Sequence, residues 1–182
     1  MLNYALLEIL VGTLLASPIV VVAFLHRYKS VQKVGAVLLL AYVVYAVKYF
    51  FFPIGFDKNV FLGRGLAINL IPFLPFVEQG KSMGLKITFY QIFGNILAFV
   101  PFSVLTAIVY PRYRRLSSNL LLTFLASLAI ELIQLSINML TQVANRAVDV
   151  NDILLNTLGG LIGFLVYLLI DKTFKLTKND RI

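Results

Sequence analysis

The sequence predicts an all-α, polytopic integral membrane protein with about five transmembrane helices and a partly buried, proline-interrupted outer loop. Of its 182 residues, 60% are hydrophobic and only 13% charged, against roughly 25% charged in a soluble domain. The apolar residues gather in five runs, each near the roughly 20 residues needed to cross a hydrocarbon core about 30 Å thick. Open sheet edges go unsatisfied in lipid, so runs of this kind form helices.

The first run is Leu2 to Leu25, with Glu8 as its one acid, and the second is Val34 to Phe52, with Lys48 near its end. Phe89 to Tyr110 follows without a charge. Asn119 to Leu140 holds only Glu131, and Ile153 to Ile170 has no ionisable residue but includes Asn156. A cleaved signal peptide begins with basic residues and has a shorter apolar core. Here the cations come after the run, which predicts that the first helix is retained.

The chain has no cysteine and one histidine, His26. This excludes disulfides and a thiol nucleophile, and it points to no metal site and no cofactor. The net charge of +8 does not indicate nucleic acid, because the cations fall in short connections where they orient the helices. Arg27, Lys29 and Lys33 follow the first run, Arg112, Arg114 and Arg115 the third, and Lys172, Lys175, Lys178 and Arg181 the fifth. These are more than half of the sixteen basic residues. Their side is therefore expected to be cytoplasmic, with the N-terminus outside and the C-terminus inside. The longer connection 54–88, with Lys58, Arg64, Lys81 and Lys86, opposes this assignment. The chain reads as a single membrane domain over 1–182, with a polar cytoplasmic tail from 171 to 182 whose lysines favour an anionic surface.

On this topology two connections face outward, 54–88 and 141–152. The first contains "GLAINLIPFLPFV", which is apolar yet broken by Pro72 and Pro75. Proline removes a backbone donor and clashes with the preceding turn. The segment is either re-entrant, with Asn69 satisfying freed backbone groups, or an amphipathic surface loop.

In the fourth run Ser127, Glu131, Gln134 and Asn138 follow the i, i+4, i+7, i+11 spacing of one helical face. Glu131 lies roughly 13 Å from the outer end at Leu140 by the helical rise. A carboxylate at that depth is costly unless protonated or partnered. "RAVDVNDILLNTLGGLIG", Arg146 to Gly163, moves from a charged loop into an apolar run. Asp149, Asp152 and Asn156 share a face there, and Gly159, Gly160 and Gly163 extend it. Asp152 is expected to cap the fifth helix, while Gly159 and Gly163 permit close approach of another helix. In the third run Gln91 and Asn95 lie four apart, and Pro101 is expected to kink the helix. The outer halves of three helices are thus expected to gather Gln91, Asn95, Glu131, Gln134, Arg146, Asp149, Asp152 and Asn156. Arg146 is the natural partner for one of the acids, or else for an anionic headgroup.

Four blocks, "NLIPF" at Asn69 to Phe73, "GNILAFVPF" at Gly94 to Phe102, "ELIQ" at Glu131 to Gln134 and "RAVDVNDILLNTLGGLIG", together resemble the VanZ-like family of bacterial membrane proteins. The resemblance covers roughly 69–163 and rests on the ordered set, each block alone being weak. It implies a protein of the bacterial cytoplasmic membrane that gives low-level resistance to glycopeptide antibiotics such as teicoplanin and related lipoglycopeptides. Those drugs act outside that membrane, on the D-alanyl-D-alanine ends of peptidoglycan precursors.

Three mechanisms suit these residues. In the first, a polar pocket open to the outer leaflet binds a lipid, a lipid-linked peptidoglycan precursor or the drug. Arg146 would meet its phosphate or carboxylate, and Asn69, Asn95 and Gln134 would supply neutral hydrogen bonds. The alternative is a membrane-embedded enzyme acting on a lipid or precursor headgroup, with Glu131 or Asp152 as general base and Arg146 as electrophilic clamp. No nucleophile elbow, HExxH pair or phosphate loop supports it. Transport is the third, weakened by the lack of an inverted repeat. Capping, loop bracing and helix packing account for the same residues without any ligand.

Overall fold

The computed structural model describes residues 9, 11–14, 17, 29–55, 68–82 and 84–174. Most of the first apolar run with Glu8, as well as His26, Arg27, Lys58, Arg64 and the tail from 175, lies outside the described residues. Residues 11–14 are helical, and Gly12 packs on Val44, whose Cα would stand 2.9 Å from an added Cβ.

Five helices and one short bridge make up the described architecture: α1 (Ser30–Phe51), β1 (Ile68–Asn69), α2 (Leu74–Ser82), α3 (Leu85–Val109), α4 (Leu116–Thr141), β2 (Val148–Asp149) and α5 (Val150–Phe174). Among the described residues four helices, α1, α3, α4 and α5, are long and apolar enough to cross a membrane. The protein is all-α and multi-pass.

Local chemistry sets the ends of these helices. The Gln32 side chain accepts the Lys29 N–H at the start of α1. That helix stops at Phe52, which is extended as the residue before Pro53 must be. α2 and α3 meet at Gly84, whose φ of 91° is open to glycine and strained for other residues. α3 stops at extended Tyr110, before Pro111 opens a one-turn 3₁₀ helix, Pro111–Arg114. α3 runs through Pro101 as one element, and in the turn before that proline the Tyr42 hydroxyl donates to the Ala98 carbonyl at 2.7 Å.

Hydrogen bonds between helices fix their register, α1 running antiparallel to α3 and parallel to α4. Gln32 Nε2 donates to Val109 O at 3.2 Å, joining the start of α1 to the end of α3. Gln134 Nε2 donates to Phe50 O at 3.0 Å, joining the end of α1 to the last third of α4. Asn156 Nδ2 donates to Ser127 Oγ at 2.9 Å, tying α5 to α4 at mid-helix.

The tightest packing is between α3 and α5, and the glycines of α5 explain why. A Cβ at Gly159 would overlap the Ile96 carbonyl oxygen, and one at Gly163 would overlap that of Val100. Their four-residue spacing matches on both helices, so α3 and α5 touch backbone to backbone over a full turn. Gly160 makes room in turn for the Thr123 side chain of α4. Apolar clusters fill the other end of the bundle: Ala36, Leu39 and Val109 between α1 and α3, and Ala107, Phe164 and Tyr167 between α3 and α5.

The interior is otherwise polar. α4 buries Asn119, Thr123, Ser127, Glu131, Gln134 and Asn138 along one face, while Leu121, Leu125, Leu132 and Ile133 of the same helix are exposed. A helix surrounded by lipid gains nothing by hiding leucine, so the buried face is the one whose polar groups need partners. The stripe starts two turns earlier than the sequence reading placed it. Asn119 donates to the carbonyls of Ser103 and Tyr113, both at 3.2 Å.

Replacing Gly163 by Val should push α5 off α3 and lower the thermal unfolding midpoint in detergent, at a cost of about 1–3 kcal/mol. Gly94→Ala meets only the flexible end of Tyr49, at 3.3 Å, and should leave the midpoint nearly unchanged.

Candidate functional site

The site begins with a helix start. Asp149 precedes α5, and its Oδ1 accepts the Asn151 backbone N–H at 2.8 Å and the Asn151 side-chain amide at 2.7 Å. Asp149 is therefore the cap of α5, and the expectation that Asp152 fills this role is corrected. Asp152 lies three residues further on, where a capping box would turn its side chain back to the Asp149 N–H. Here Glu131, from α4, accepts that N–H instead, its Oε2 2.9 Å away. Asp152 is thereby free to face α3, where its Oδ1 accepts Asn95 Nδ2.

The same cap holds the proline-rich segment. Asn69 Nδ2 donates to the second Asp149 oxygen at 3.2 Å. Ile68 and Asn69 pair in parallel with Val148 and Asp149. Asn151 Oδ1 accepts the Phe73 N–H at 2.8 Å, which secures a residue whose φ of 65° is unusual outside glycine. The segment broken by Pro72 and Pro75 is thus held by protein, but Asn69, expected to satisfy freed backbone groups, bonds to the Asp149 carboxylate, and Asn151 meets the Phe73 N–H instead.

Asn138 shapes the loop before β2. Its Oδ1 accepts the Asn145 N–H at 2.9 Å and its Nδ2 donates to Arg146 O at 2.7 Å. So held, Arg146 reaches the end of α1, where Nη2 donates to Tyr49 O at 3.2 Å and Phe52 O at 3.0 Å. Those carbonyls belong to the last turn of α1 and its cap, which lack helical donors. Among the described residues no carboxylate pairs with Arg146, so the expected ion pair with an acid of the cluster is replaced by bonds to backbone oxygens.

Between these elements lies a cavity of about 760 Å³. Seven of the sequence-predicted residues line it: Asn69, Gln91, Asn95, Gln134, Arg146, Asp149 and Asp152. Glu131 and Asn156 are buried behind its wall, Glu131 on the Asp149 N–H and Asn156 on Ser127. The sequence reading missed Tyr45, Lys48 and Tyr49 of α1 and Glu78, Gln79 and Ser82 of α2, all of which line the cavity. Lys48 had a signal as the only cation of its run. The α2 residues had none, because a nine-residue helix with Pro75 in its first turn reads as part of the proline-broken loop.

Chemically, the cavity sets a guanidinium and an ammonium on the α1 side and carboxylates on the α5 and α2 sides, with amides between them. It can hold a charged, hydrogen-bonding group. Among the described residues no group of His, Asp or Glu is arranged to hold a metal ion.

Glu131→Leu should leave the buried Asp149 N–H unpaired and cost about 1–3 kcal/mol, read as a fall in the thermal unfolding midpoint. Glu131→Gln keeps a carbonyl acceptor there and should retain most of that stability.

No curated protein and no solved structure matches this chain. The VanZ/LLP1 family model matches residues 37–171, a span that contains the whole cavity and all four sequence blocks. By that match the chain belongs to the VanZ-like family.

Proposed function

We propose that this protein sits in the bacterial cytoplasmic membrane with its cavity open to the outer leaflet, and that the cavity binds the anionic part of a lipid, a lipid-linked peptidoglycan precursor or a lipoglycopeptide. By doing so it lowers the effect of glycopeptides such as teicoplanin. The carrying observation is Arg146. It lines the cavity, its Nη2 is anchored on two carbonyls, and its remaining donors, Nε and Nη1, have no partner among the described residues. A guanidinium braced in this way is preorganised for phosphate or carboxylate.

Charge distribution supports the orientation. Lys29, Lys33, Arg112, Arg114, Arg115 and Lys172 belong to the end of the bundle away from the cavity, and basic residues favour the cytoplasmic side. Family membership supports the link to glycopeptides, whose target lies outside the membrane.

A second reading draws on Asp152, which lines the cavity together with Arg146. A carboxylate and a guanidinium in one cavity are the parts of a membrane enzyme that modifies a headgroup, with Asp152 as base and Arg146 as clamp. Glu131 is committed to the Asp149 N–H and leaves that role to Asp152. A modified precursor seen by mass spectrometry in expressing cells, and lost with Asp152→Asn, would establish this reading over simple binding.

Arg146→Ala should remove protection against teicoplanin while Arg146→Lys retains part of it, with both proteins at normal abundance in the membrane. Loss of charge-assisted hydrogen bonds should weaken ligand binding about ten- to a hundredfold. Full protection by the alanine variant at normal abundance would overturn the binding role. Protection should also be stronger against glycopeptides with a lipid tail than against those without one.

A further inference from the structure

We propose that the cavity's ligand is an aminophospholipid headgroup, a phosphate and a primary ammonium on one lipid. The inference rests on the binding role proposed above and narrows the ligand to a zwitterion.

An anion alone fits only half of the site. Arg146 and Lys48 face the cavity from the α1 side, but Glu78, Asp149 and Asp152 share the lining. Asp149 is saturated by Asn151 and Asn69. Asp152 is not: Oδ1 holds Asn95, while Oδ2 has no partner among the described residues. Glu78, on α2, is exposed and has no side-chain partner among them either. A negatively charged ligand would meet these carboxylates as well as the guanidinium, whereas a ligand carrying both charges meets each with its opposite.

The amides show which kind of cation is suited. Gln134 is 6% exposed, and its Nε2 is fixed on Phe50 O, so its Oε1 is identified as the end left buried without a partner. Gln79 Oε1 is buried without a partner as well. Both residues line the cavity. With Asp152 Oδ2 and Glu78, these give the lining a surplus of acceptors. A primary ammonium supplies three donors and no acceptor, while a quaternary ammonium supplies none. A quaternary group would instead seek an aromatic cage. The two tyrosines at hand, Tyr45 and Tyr49, stack on one another with ring planes 17° apart.

The rim points to a lipid rather than a free solute. Leu70, Ile71, Phe73 and Val77, beside the lining residues Asn69, Pro75 and Glu78, are 52–74% exposed. They form an apolar shoulder on which acyl chains can lie while the headgroup enters.

The test uses the full chain, purified and delipidated in detergent. Binding is measured for dihexanoyl phosphatidylethanolamine, phosphatidylcholine and phosphatidylglycerol, and for free phosphoethanolamine. The ethanolamine lipid should bind about tenfold tighter than the other two lipids, the ratio expected of one charge-assisted hydrogen bond, and free phosphoethanolamine should bind more weakly still. Asp152→Asn and the exposed Glu78→Gln should each bring ethanolamine lipid toward the choline level, with a smaller loss of choline binding, which keeps the charge attraction but has no ammonium hydrogen bond to lose. Arg146→Gln should weaken all three lipids. Equal binding of the ethanolamine and choline lipids would overturn ammonium recognition while the binding role stands. Phosphoethanolamine binding as tightly as its lipid would overturn the contribution of the apolar rim. If no lipid binds, the aminophospholipid assignment falls, while binding of a precursor or lipoglycopeptide is decided by the protection lost or kept in Arg146→Ala.

Discussion

The hydrogen bond from the Asp149 backbone N–H to the Glu131 carboxylate is the interaction on which the site depends. A helix start needs a cap for its N–H groups and, in a capping box, a second side chain to hold the cap's own N–H. In this protein the second side chain comes from another helix. Glu131 thereby joins α4 to the start of α5, and Asp149, fixed from both sides, anchors Asn69 and Asn151, the latter in turn securing Phe73. Two stretches about 80 residues apart are brought together by one aspartate. A further consequence concerns Asp152, which is relieved of the capping task and faces the cavity.

This arrangement also shows how a buried acid can be kept in an apolar bundle. Glu131 is 3% exposed, at a depth where an ionisable group without partners would be expensive. Its partner is a backbone donor at the positive end of a helix dipole, which needs no buried cation. Arg146, free of the acids, spends its Nη2 on the carbonyls that end α1. Acid and base thus each satisfy a helix end, and neither neutralises the other. The site keeps charges of both signs on separate elements around one space.

What the sequence disclosed follows from periodicity. The spacing of Ser127, Glu131, Gln134 and Asn138 located a buried face, because a helix with polar residues every turn has only one way to hide them. The glycines of α5 located the tightest contact. Backbone partners left no such trace: nothing in the residue types says that Arg146 bonds to Tyr49 and Phe52 carbonyls, and opposite charge suggested an ion pair instead. Asp149 and Asp152 lie one turn apart, and either satisfies the pattern of a cap. Only the position of Glu131 decides between them. Asn119 and Thr123 were passed over because such residues inside a helix often bond to their own preceding turn, as Thr123 does to Asn119 O. α2 was hidden by Pro72 just before it and Pro75 in its first turn.

A recess lined by separated charges at one end of a membrane bundle has meaning only if it faces the side where its ligand is found. The chain contains no cysteine, so single cysteines report cleanly on that orientation. Gln91→Cys and Ala147→Cys place a thiol at the cavity lining, and Arg112→Cys places one in the connection at the opposite end. Labelling of intact cells with a membrane-impermeant maleimide should modify the first two directly and the third only after permeabilisation. The reverse pattern, with Arg112→Cys labelled from outside and the cavity positions shielded until the membrane is opened, would contradict an outward-facing site.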